Sequence, residues 1–468
     1  MVKDIYETNY KDIHILLLDI LQDKERIVTG NIEPKYLSDS LGRKKGTTLA
    51  VVFPKSTKEV SSILKLAYEN NIKVTPRGAG TNLVGSTVPS KNSIVIDLSL
   101  MNNILEIDED NFTATVEAGV ILKNFQEQVL TKGLFYPPDP GEKLATIGGN
   151  ISTNAGGMRA VKYGVTRDYV LGLELVLANG EIIKVGSKNL KDTSGLALKD
   201  LVIGSEGTLA IITKCILKLI PKPEESVSVL LGFSSLAEGS KAVREIIRAN
   251  LDPTAIEFID SKVIKLAEEF IDIKFPLEAS KSYLLITLDG STKQICDKLH
   301  RLEQVKIDTN VLESLVLEDE NISSDVWKLR GVIVKAVEEV SEQEPLDIVV
   351  PISSIDKFID YTNELEKESG MTMVGFGHAG DGNIHLCVLR EDRDDETWER
   401  ELDINLEKLY QKAYSYGGLI SGEHGIGLSK KKYLKKLTSK TNLELMKNIK
   451  KGFDEKQILN PEISYNSL

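Results

Sequence analysis

Between residues 43 and 222, short apolar runs alternate with loops unusually dense in glycine: PRGAGTNLVG at 76 to 85, YPPDPGEKLATIGGNISTNAGG at 136 to 157, and GSEG opening the run at 204 to 221. These loops constrain the fold more than the apolar runs do. Glycine stands where backbone takes positive φ or must approach a ligand with no side chain between them. The runs themselves read as strands and helices in turn. TTLAVVFP at 47 to 54, KVTPRG, SIVIDLS and TATVEAGV have strand composition, whereas STKEVSSILKLAYENN and LKNFQEQVLTKG repeat apolar residues at helical spacing, the first capped by Ser56 or Thr57. The alternation predicts an α+β or α/β domain, punctuated at its end by Pro221 and Pro223. PRGAGTNLVG follows a strand and can present its N–H groups as an anion-binding nest. It lacks the GK[ST] of a Walker loop and does not fit GxGxxG in a strand-turn-helix setting. Three such loops in one domain favour a dinucleotide site over three unrelated turns, without saying which dinucleotide.

The 468 residues exceed one ordinary core, so two or three domains are expected. From about 224 to 415 a second unit is expected. There VSVLLGFSSLAEGSKAVREIIRAN reads as strand then helix, YLLITLDGS as a strand and KQICDKLHRLEQVKID as a helix, with further strands near 346 to 351 and 371 to 389. The tail after 427 is helical and rich in lysine. A formal net charge of −12 argues against a nucleic-acid binder, which normally carries a basic face. Partners should be small molecules or proteins. IHILLLDIL at 13 to 21 contains His14 and Asp19, is too short to span a bilayer, and reads as an amphipathic helix; no signal peptide is expected. Three scattered cysteines, Cys215, Cys296 and Cys387, form no CxxC pair. They fit a reducing, cytoplasmic setting, do not suffice for an iron–sulfur cluster, and read as small buried residues.

Two of the five histidines flank a glycine-rich turn in GFGHAGDGNIHLCVL, residues 375 to 389. Asp381-Gly382 is a two-residue hairpin signal. A turn there pairs Gly380 with Asn383 and Ala379 with Ile384, and sets His378 opposite His385, with Cβ atoms about 4.5 to 5.5 Å apart. Both could equally be ordinary strand histidines bonded to backbone. SGEHGIG at 421 to 427 adds Glu423 and His424 between glycines. Two imidazoles and a carboxylate are a common ligand set for catalytic zinc, with a fourth position open to water or substrate.

Together these segments carry a resemblance. In order, PRGAGTNLVG, TIGGNISTNAGGMRAVKYGVTRDYVLGLELVLANGE at 146 to 181, GSEGTLAIIT, HAGDGNIH and SGEHGIG resemble the FAD-linked D-2-hydroxyacid dehydrogenases. This family of the vanillyl-alcohol oxidase superfamily includes D-lactate dehydrogenases, the glycolate oxidase flavin subunit and D-2-hydroxyglutarate dehydrogenase. The resemblance covers roughly residues 40 to 460. It implies an α+β protein with a two-subdomain FAD-binding domain over 43 to 222 and a substrate-binding α+β cap with a central antiparallel sheet over 223 to 415. An N-terminal helical segment (1 to 42) precedes these, and a C-terminal segment (416 to 468) completes the active site and FAD domain.

By the same resemblance, Pro76, Arg77, Gly78, Ala79, Gly80, Thr81, Asn82 and Gly85 form the pyrophosphate loop. Pro138, Asp139, Thr146, Gly148, Gly149, Ser152, Asn154, Gly156 and Gly157 line the flavin, with Glu206 and Ile211 or Ile212 near the adenosine end. Ser86 stands where many relatives continue with glycine. Covalent members use a His or Cys in these regions; neither loop has one, so non-covalent FAD is implied. In the cap, His378, His385 and Glu423 would hold a divalent metal (Zn, or Fe/Mn), His424 would be the catalytic base, and Asn383 would support the site. Arg330 in DVWKLRGVIVKAV resembles the arginine that pairs with the substrate carboxylate; from the residues alone, a solvated helix residue is the favoured reading.

The implied reaction is oxidation of a D-2-hydroxy acid to the 2-oxo acid, the hydride passing to flavin. D-lactate is favoured, because Ala379 beside the first ligand suits a short side chain; glycolate or D-2-hydroxyglutarate are the alternatives. Rivals of other classes are a non-catalytic flavoprotein subunit of an electron-transfer complex and a metal-dependent hydrolase with an unrelated glycine-rich domain. The chain has no iron–sulfur or haem motif and no Rossmann fingerprint, so a protein electron acceptor is expected, an electron-transfer flavoprotein or an iron–sulfur subunit, with electron bifurcation known among relatives. The lysine cluster at 430 to 451 is either its docking surface or an ordinary solvated helix.

Overall fold

In the computed structural model, which describes residues 10 to 465, the β-branched runs of the first half become eleven strands. They are β1 Ile27–Thr29, β2 Ala50–Val52, β3 Lys73–Arg77, β4 Ser93–Asp97, β5 Ile104–Asp108, β6 Thr113–Glu117, β7 Leu134–Phe135, β8 Val170–Val176, β9 Ile182–Gly186, β10 Ile211–Lys218 and β11 Ile220–Pro221. Two sheets result. In the first, ordered β1-β2-β4-β3, β4 runs parallel to both β2 and β3, and β1 is antiparallel to β2. The second, β5-β6-β10-β8-β9, is antiparallel throughout.

Strands running the same way in one sheet require a crossover, which the helix Thr57–Glu69 supplies between β2 and β3, the strands on either side of β4. Ser56 is its cap, accepting the Glu59 N–H at 3.3 Å, and Val60, Ile63, Leu64 and Ala67 form its buried stripe. The same helix joins the two sheets. Thr57 donates its hydroxyl to Glu174 on β8 at 2.6 Å, and Ser61 donates to the Gly180 carbonyl at 2.5 Å.

These elements belong to one unit, residues 1 to 155, 165 to 222 and 424 to 468; the second unit comprises 156 to 164 and 223 to 423. The N-terminal helix Tyr10–Leu21 buries Ile13, Leu17 and Leu21 and leaves Ile15 exposed, the expected amphipathic pattern. No described helix is long and apolar enough to cross a membrane.

At its other end the first unit is closed by a bridge beside β3, where Val74 donates to Ile458 and Asn460 donates to Val74, each at 2.8 Å. Lys450 anchors that bridge. The lysine-rich tail is therefore not uniformly solvated: Lys432, Lys435 and Lys436 are exposed, whereas Lys430 and Lys450 are buried. Lys450, at 0% exposure, donates to the carbonyls of Thr208 (2.6 Å) and Leu459 (2.9 Å) and pairs with Asp454.

The second unit is built on a seven-stranded antiparallel sheet, as expected for the cap. Its strands are β12 Glu225–Phe233, β13 Ala255–Asp260, β14 Ser282–Gly290, β15 Glu313–Val316, β16 Gln343–Val349, β17 Met373–His378 and β18 Asn383–Leu389, ordered β15-β12-β14-β13-β17-β18-β16. One face is covered by the helices Ser261–Ile271 and Glu320–Val340. They pack Val263, Ala267, Leu329 and Ile333 against Leu230, Leu285, Ile259 and Phe376. Of the cysteines, Cys215 and Cys387 are buried as expected, but Cys296 is exposed on the helix Thr292–Asp308.

Candidate active site

Within the first unit the three glycine-rich loops meet. A Cβ on Gly78 would lie 2.2 Å from Oγ1 of Thr146, and one on Gly207 would lie 2.5 Å from Cγ of Pro76. Each glycine is thus what lets one loop press on the next. Gly80, at φ +74°, turns the first loop around the buried guanidinium of Arg77. Among the described residues, the backbone N–H groups of Gly78, Ala79, Gly80, Thr81 and Asn82 donate to no protein acceptor. A run of free donors on a glycine loop after a strand is what an anionic ligand needs.

The second loop is arranged differently. At the start of the helix Ile147–Thr153, Ile147 donates to Val120, Gly148 to Ala118 and Gly149 to the capping Thr146 hydroxyl. Its first donors are satisfied within the protein. Ser152 donates its hydroxyl to the Gly148 carbonyl, and Asn154, at φ +52°, accepts the Arg167 N–H at 2.9 Å. Pro138 accepts from Gln126, and the buried Asp139 pairs with Lys143.

Glu206 takes a left-handed φ of +52° in the third loop. Its carboxylate accepts from the Ser86 hydroxyl and from the N–H groups of Ile426 (3.1 Å) and Gly427 (3.0 Å). Burial pushes this carboxyl above its ordinary range even against those bonds. Glu206 therefore ties the first loop to residues 426 and 427, and Ser86 takes part through its hydroxyl rather than merely fitting by its small size. Ile211 and Ile212 are buried at the start of β10.

In the second unit the hairpin differs from the expected one. The loop is Ala379 to Gly382, so His378 pairs with Asn383 and Gly377 with Ile384, while His385 faces Phe376. Asp381 and Gly382 do not close a two-residue turn because their bonding is directed elsewhere. The Asp381 carboxylate accepts the Asn383 N–H at 3.2 Å, and the Gly382 carbonyl accepts the Val350 N–H at 3.0 Å. The shift is two residues, which keeps both histidines on one face. They sit diagonally, ring centroids 5.0 Å apart and planes at 90°.

Glu423 completes the group. Its Oε1 lies 3.3 Å from Nε2 of His385 and 3.6 Å from Nε2 of His378, and one ligand atom from each of the three residues lies within 4.8 Å of the others. Two buried carboxylates hold this arrangement. Asp347 on β16 accepts from Asn383 Nδ2 (2.8 Å), the Ser421 hydroxyl (2.8 Å) and the N–H groups of Gly422 (3.0 Å) and Glu423 (3.1 Å), fixing the loop that presents Glu423.

Glu257 on β13 is directly paired with His378 in the sheet. Its Oε1 lies 2.6 Å from Nδ1 of His378, while Oε2 accepts from Arg330 Nη2 (2.6 Å) and Nε (3.0 Å). Arg330 also stacks on Phe376, its Cζ 5.0 Å from the ring centroid. It is not a solvated helix residue.

The electrostatics favour a cation here. Burial opposes charge on His378, yet Glu257 and Glu423 outweigh it and hold the imidazole well above its ordinary value. Burial likewise opposes ionisation of Glu423 and Glu257, but His378 with His385 holds the first, and His378 with Arg330 the second, below the usual carboxylate range. Asp381, facing the same end of the sheet, is pushed up to about 6 by burial.

Comparison with known proteins decides the family. Residues 48–186 match the family model described as FAD binding domain, and residues 222–463 match FAD linked oxidases, C-terminal domain. The chain is 40% identical to a D-lactate dehydrogenase of Anaerostipes hadrus over 413 residues, 87% of each chain. It belongs to the FAD-linked oxidases.

The chain is also 39% identical to glycolate oxidase subunit GlcD of Bacillus subtilis, over 88% of each chain. A mitochondrial D-2-hydroxyglutarate dehydrogenase of Arabidopsis thaliana is 34% identical over 95% of this chain and 78% of its own. Among solved structures, p-cresol methylhydroxylase with substrate bound shares the fold at a TM-score of 0.79 and 16% identity, covering 98% of this chain and 97% of that one. The FAD-linked oxidase fold is thus of the vanillyl-alcohol oxidase type, and the cofactor is FAD. The free donors at 78 to 82 suit its pyrophosphate.

Glu257 and Asp347 were not anticipated. Each is a carboxylate directly flanked by apolar strand residues, Glu257 in AIEF and Asp347 in PLDIVV. A buried charge in such a strand demands a partner, which is the signal that could have found them.

Proposed function

We propose that this FAD-linked oxidase oxidises a D-2-hydroxy acid, D-lactate foremost, to the 2-oxo acid. The observation that carries this reading is the set His378, His385 and Glu423, whose ligand atoms converge on one face of the cap sheet with Arg330 held beside His378 by Glu257. Two imidazole nitrogens and one carboxylate oxygen suit a divalent ion, Zn or Fe/Mn, and leave positions open for substrate. Bound there, such an ion supplies Lewis acidity to a coordinated hydroxyl, and bound FAD supplies the hydride acceptor.

The residues of the chain do the rest. Nη1 of Arg330 makes no protein hydrogen bond among the described residues, so it is available to a substrate carboxylate. His424, next to the ligand Glu423, accepts the hydroxyl proton. Asn383, with Nδ2 on Asp347, keeps that end of the sheet in order. Ala379, after His378, is 0% exposed and borders no open space, so the preference for D-lactate rests on the relative named for it.

Retention of the cap residues argues against a non-catalytic subunit, and the family against a hydrolase. Relatives named for glycolate and for D-2-hydroxyglutarate leave these as the alternative substrates. Electrons leave to a protein acceptor, an electron-transfer flavoprotein or iron–sulfur subunit, approaching the exposed lysines among residues 430 to 451, and three scattered cysteines with no CxxC pair accord with the cytoplasm. His424→Ala should retain the flavin spectrum and lower turnover about 10²- to 10⁴-fold; near-normal turnover with D-lactate would remove His424 from this role.

A further inference from the structure

Glu257 does more than balance charge. It is completely buried, and its two oxygens face different functional groups: Oε1 meets Nδ1 of His378, and Oε2 meets Nε and Nη2 of Arg330. A carboxylate accepts only, so the Nδ1 proton of His378 is held toward Glu257. The lone pair of a neutral imidazole is then at Nε2, the nitrogen on the Glu423 side. The same carboxylate takes two of the guanidinium's donors, fixing the plane of Arg330 and leaving Nη1 for a ligand. The two groups it joins come from different elements, β17 and the helix Glu320–Val340, which otherwise meet only through apolar packing and the stacking of Arg330 on Phe376, contacts that fix neither the imidazole nor the guanidinium plane by hydrogen bonds.

We propose that Glu257 is a positioning residue that locks a metal ligand and the carboxylate-binding arginine into one rigid set, and thereby selects acids whose hydroxyl lies on the carbon next to the carboxylate. This rests on the functional reading above. A substrate engaging the metal with its hydroxyl and Arg330 with its carboxylate must match their separation. A 2-hydroxy acid and a 3-hydroxy acid differ by one carbon in that span. If Glu257 holds the two groups together, the longer span is rejected; if they move independently, both can be accommodated.

The test compares metal-stripped holoflavoprotein of wild type, Glu257→Gln and Arg330→Met. Zn²⁺ affinity is measured by calorimetry, and kcat and KM are measured with D-lactate and D-3-hydroxybutyrate after metal is restored. Glu257→Gln should bind Zn²⁺ about 10- to 100-fold more weakly, the scale for lost outer-shell partners of metal-binding histidines. It should also lose most of the preference for the 2-hydroxy acid. Arg330→Met should raise KM for D-lactate while Zn²⁺ affinity stays within a few-fold of wild type. Should Glu257→Gln not fold, Glu257→Asp serves: one methylene shorter, it cannot span both partners and should show the same two losses. Unchanged Zn²⁺ affinity and an unchanged 2-hydroxy to 3-hydroxy ratio in a folded Glu257 variant would overturn the proposal while leaving the dehydrogenase reading intact. Wild type that binds no Zn²⁺, Mn²⁺ or Fe²⁺ would overturn both.

Discussion

The two units build their sites from different materials. In the first, the glycine-rich loops offer backbone: free N–H groups at 78 to 82, and close approaches at Gly78 and Gly207 that no side chain would permit. In the second, a sheet face offers side chains, with Glu257, His378, His385 and Asp347 set by cross-strand pairing and Glu423 by bonds to Asp347. A backbone site is lost by adding atoms; a side-chain site is lost by removing them. Substitutions in one unit should therefore leave the other's ligand in place.

The largest effect should come from Lys450, whose loss leaves Asp454 buried beside the Thr208 carbonyl without its cation. Lys450→Met should destabilise the first unit by about 3 to 5 kcal/mol in chemical denaturation while the folded protein keeps its affinity for Zn²⁺. A stability equal to wild type would show that this buried pair does not hold the C-terminal bridge. Next is His385→Ala, which removes one of the three groups proposed to hold the metal. Turnover should fall by about 3 kcal/mol, roughly a hundredfold, with the flavin absorbance retained. Loss of flavin in this variant would erase the separation of the two sites.

A methyl group at Gly80 meets both the positive φ and the Arg77 guanidinium. Gly80→Ala should weaken FAD retention by about 2 kcal/mol, read by equilibrium dialysis, with Zn²⁺ affinity unchanged. The smallest effect is expected for Ser86→Ala, which deprives the buried Glu206 of one donor while the Ile426 and Gly427 N–H groups remain. A loss of about 1.5 kcal/mol in stability should result, and a neutral outcome would mean that the Ile426 and Gly427 N–H groups suffice.

The contrast between the units also explains what could be read from the chain. Glycine loops announce themselves in composition, and the strand-helix alternation around them placed the first unit's elements closely, from the Ser56 cap to the helix Leu122–Leu130. For the cap, His378, His385 and Glu423 were legible as a set, yet the hairpin register was two residues off. The turn's bonding involves Val350, far away in the chain, and local turn rules cannot see it. Glu257 and Asp347 escaped for a related reason. A carboxylate in an apolar strand acquires meaning only from partners on neighbouring strands and loops, 121 residues away for Glu257 and His378. The lysine cluster shows the converse error, because Lys450 reads as surface by composition and is buried by its bonds to Thr208, Asp454 and Leu459.

Anaerobic reduction of the flavin by D-lactate tests the division of labour between the two units most directly. Protein stripped of metal by chelation should keep its flavin, fail to be bleached by D-lactate, and regain bleaching when Zn²⁺ or Mn²⁺ is returned, with L-lactate inert throughout. Full-rate bleaching by D-lactate in protein shown by elemental analysis to contain no metal would contradict it.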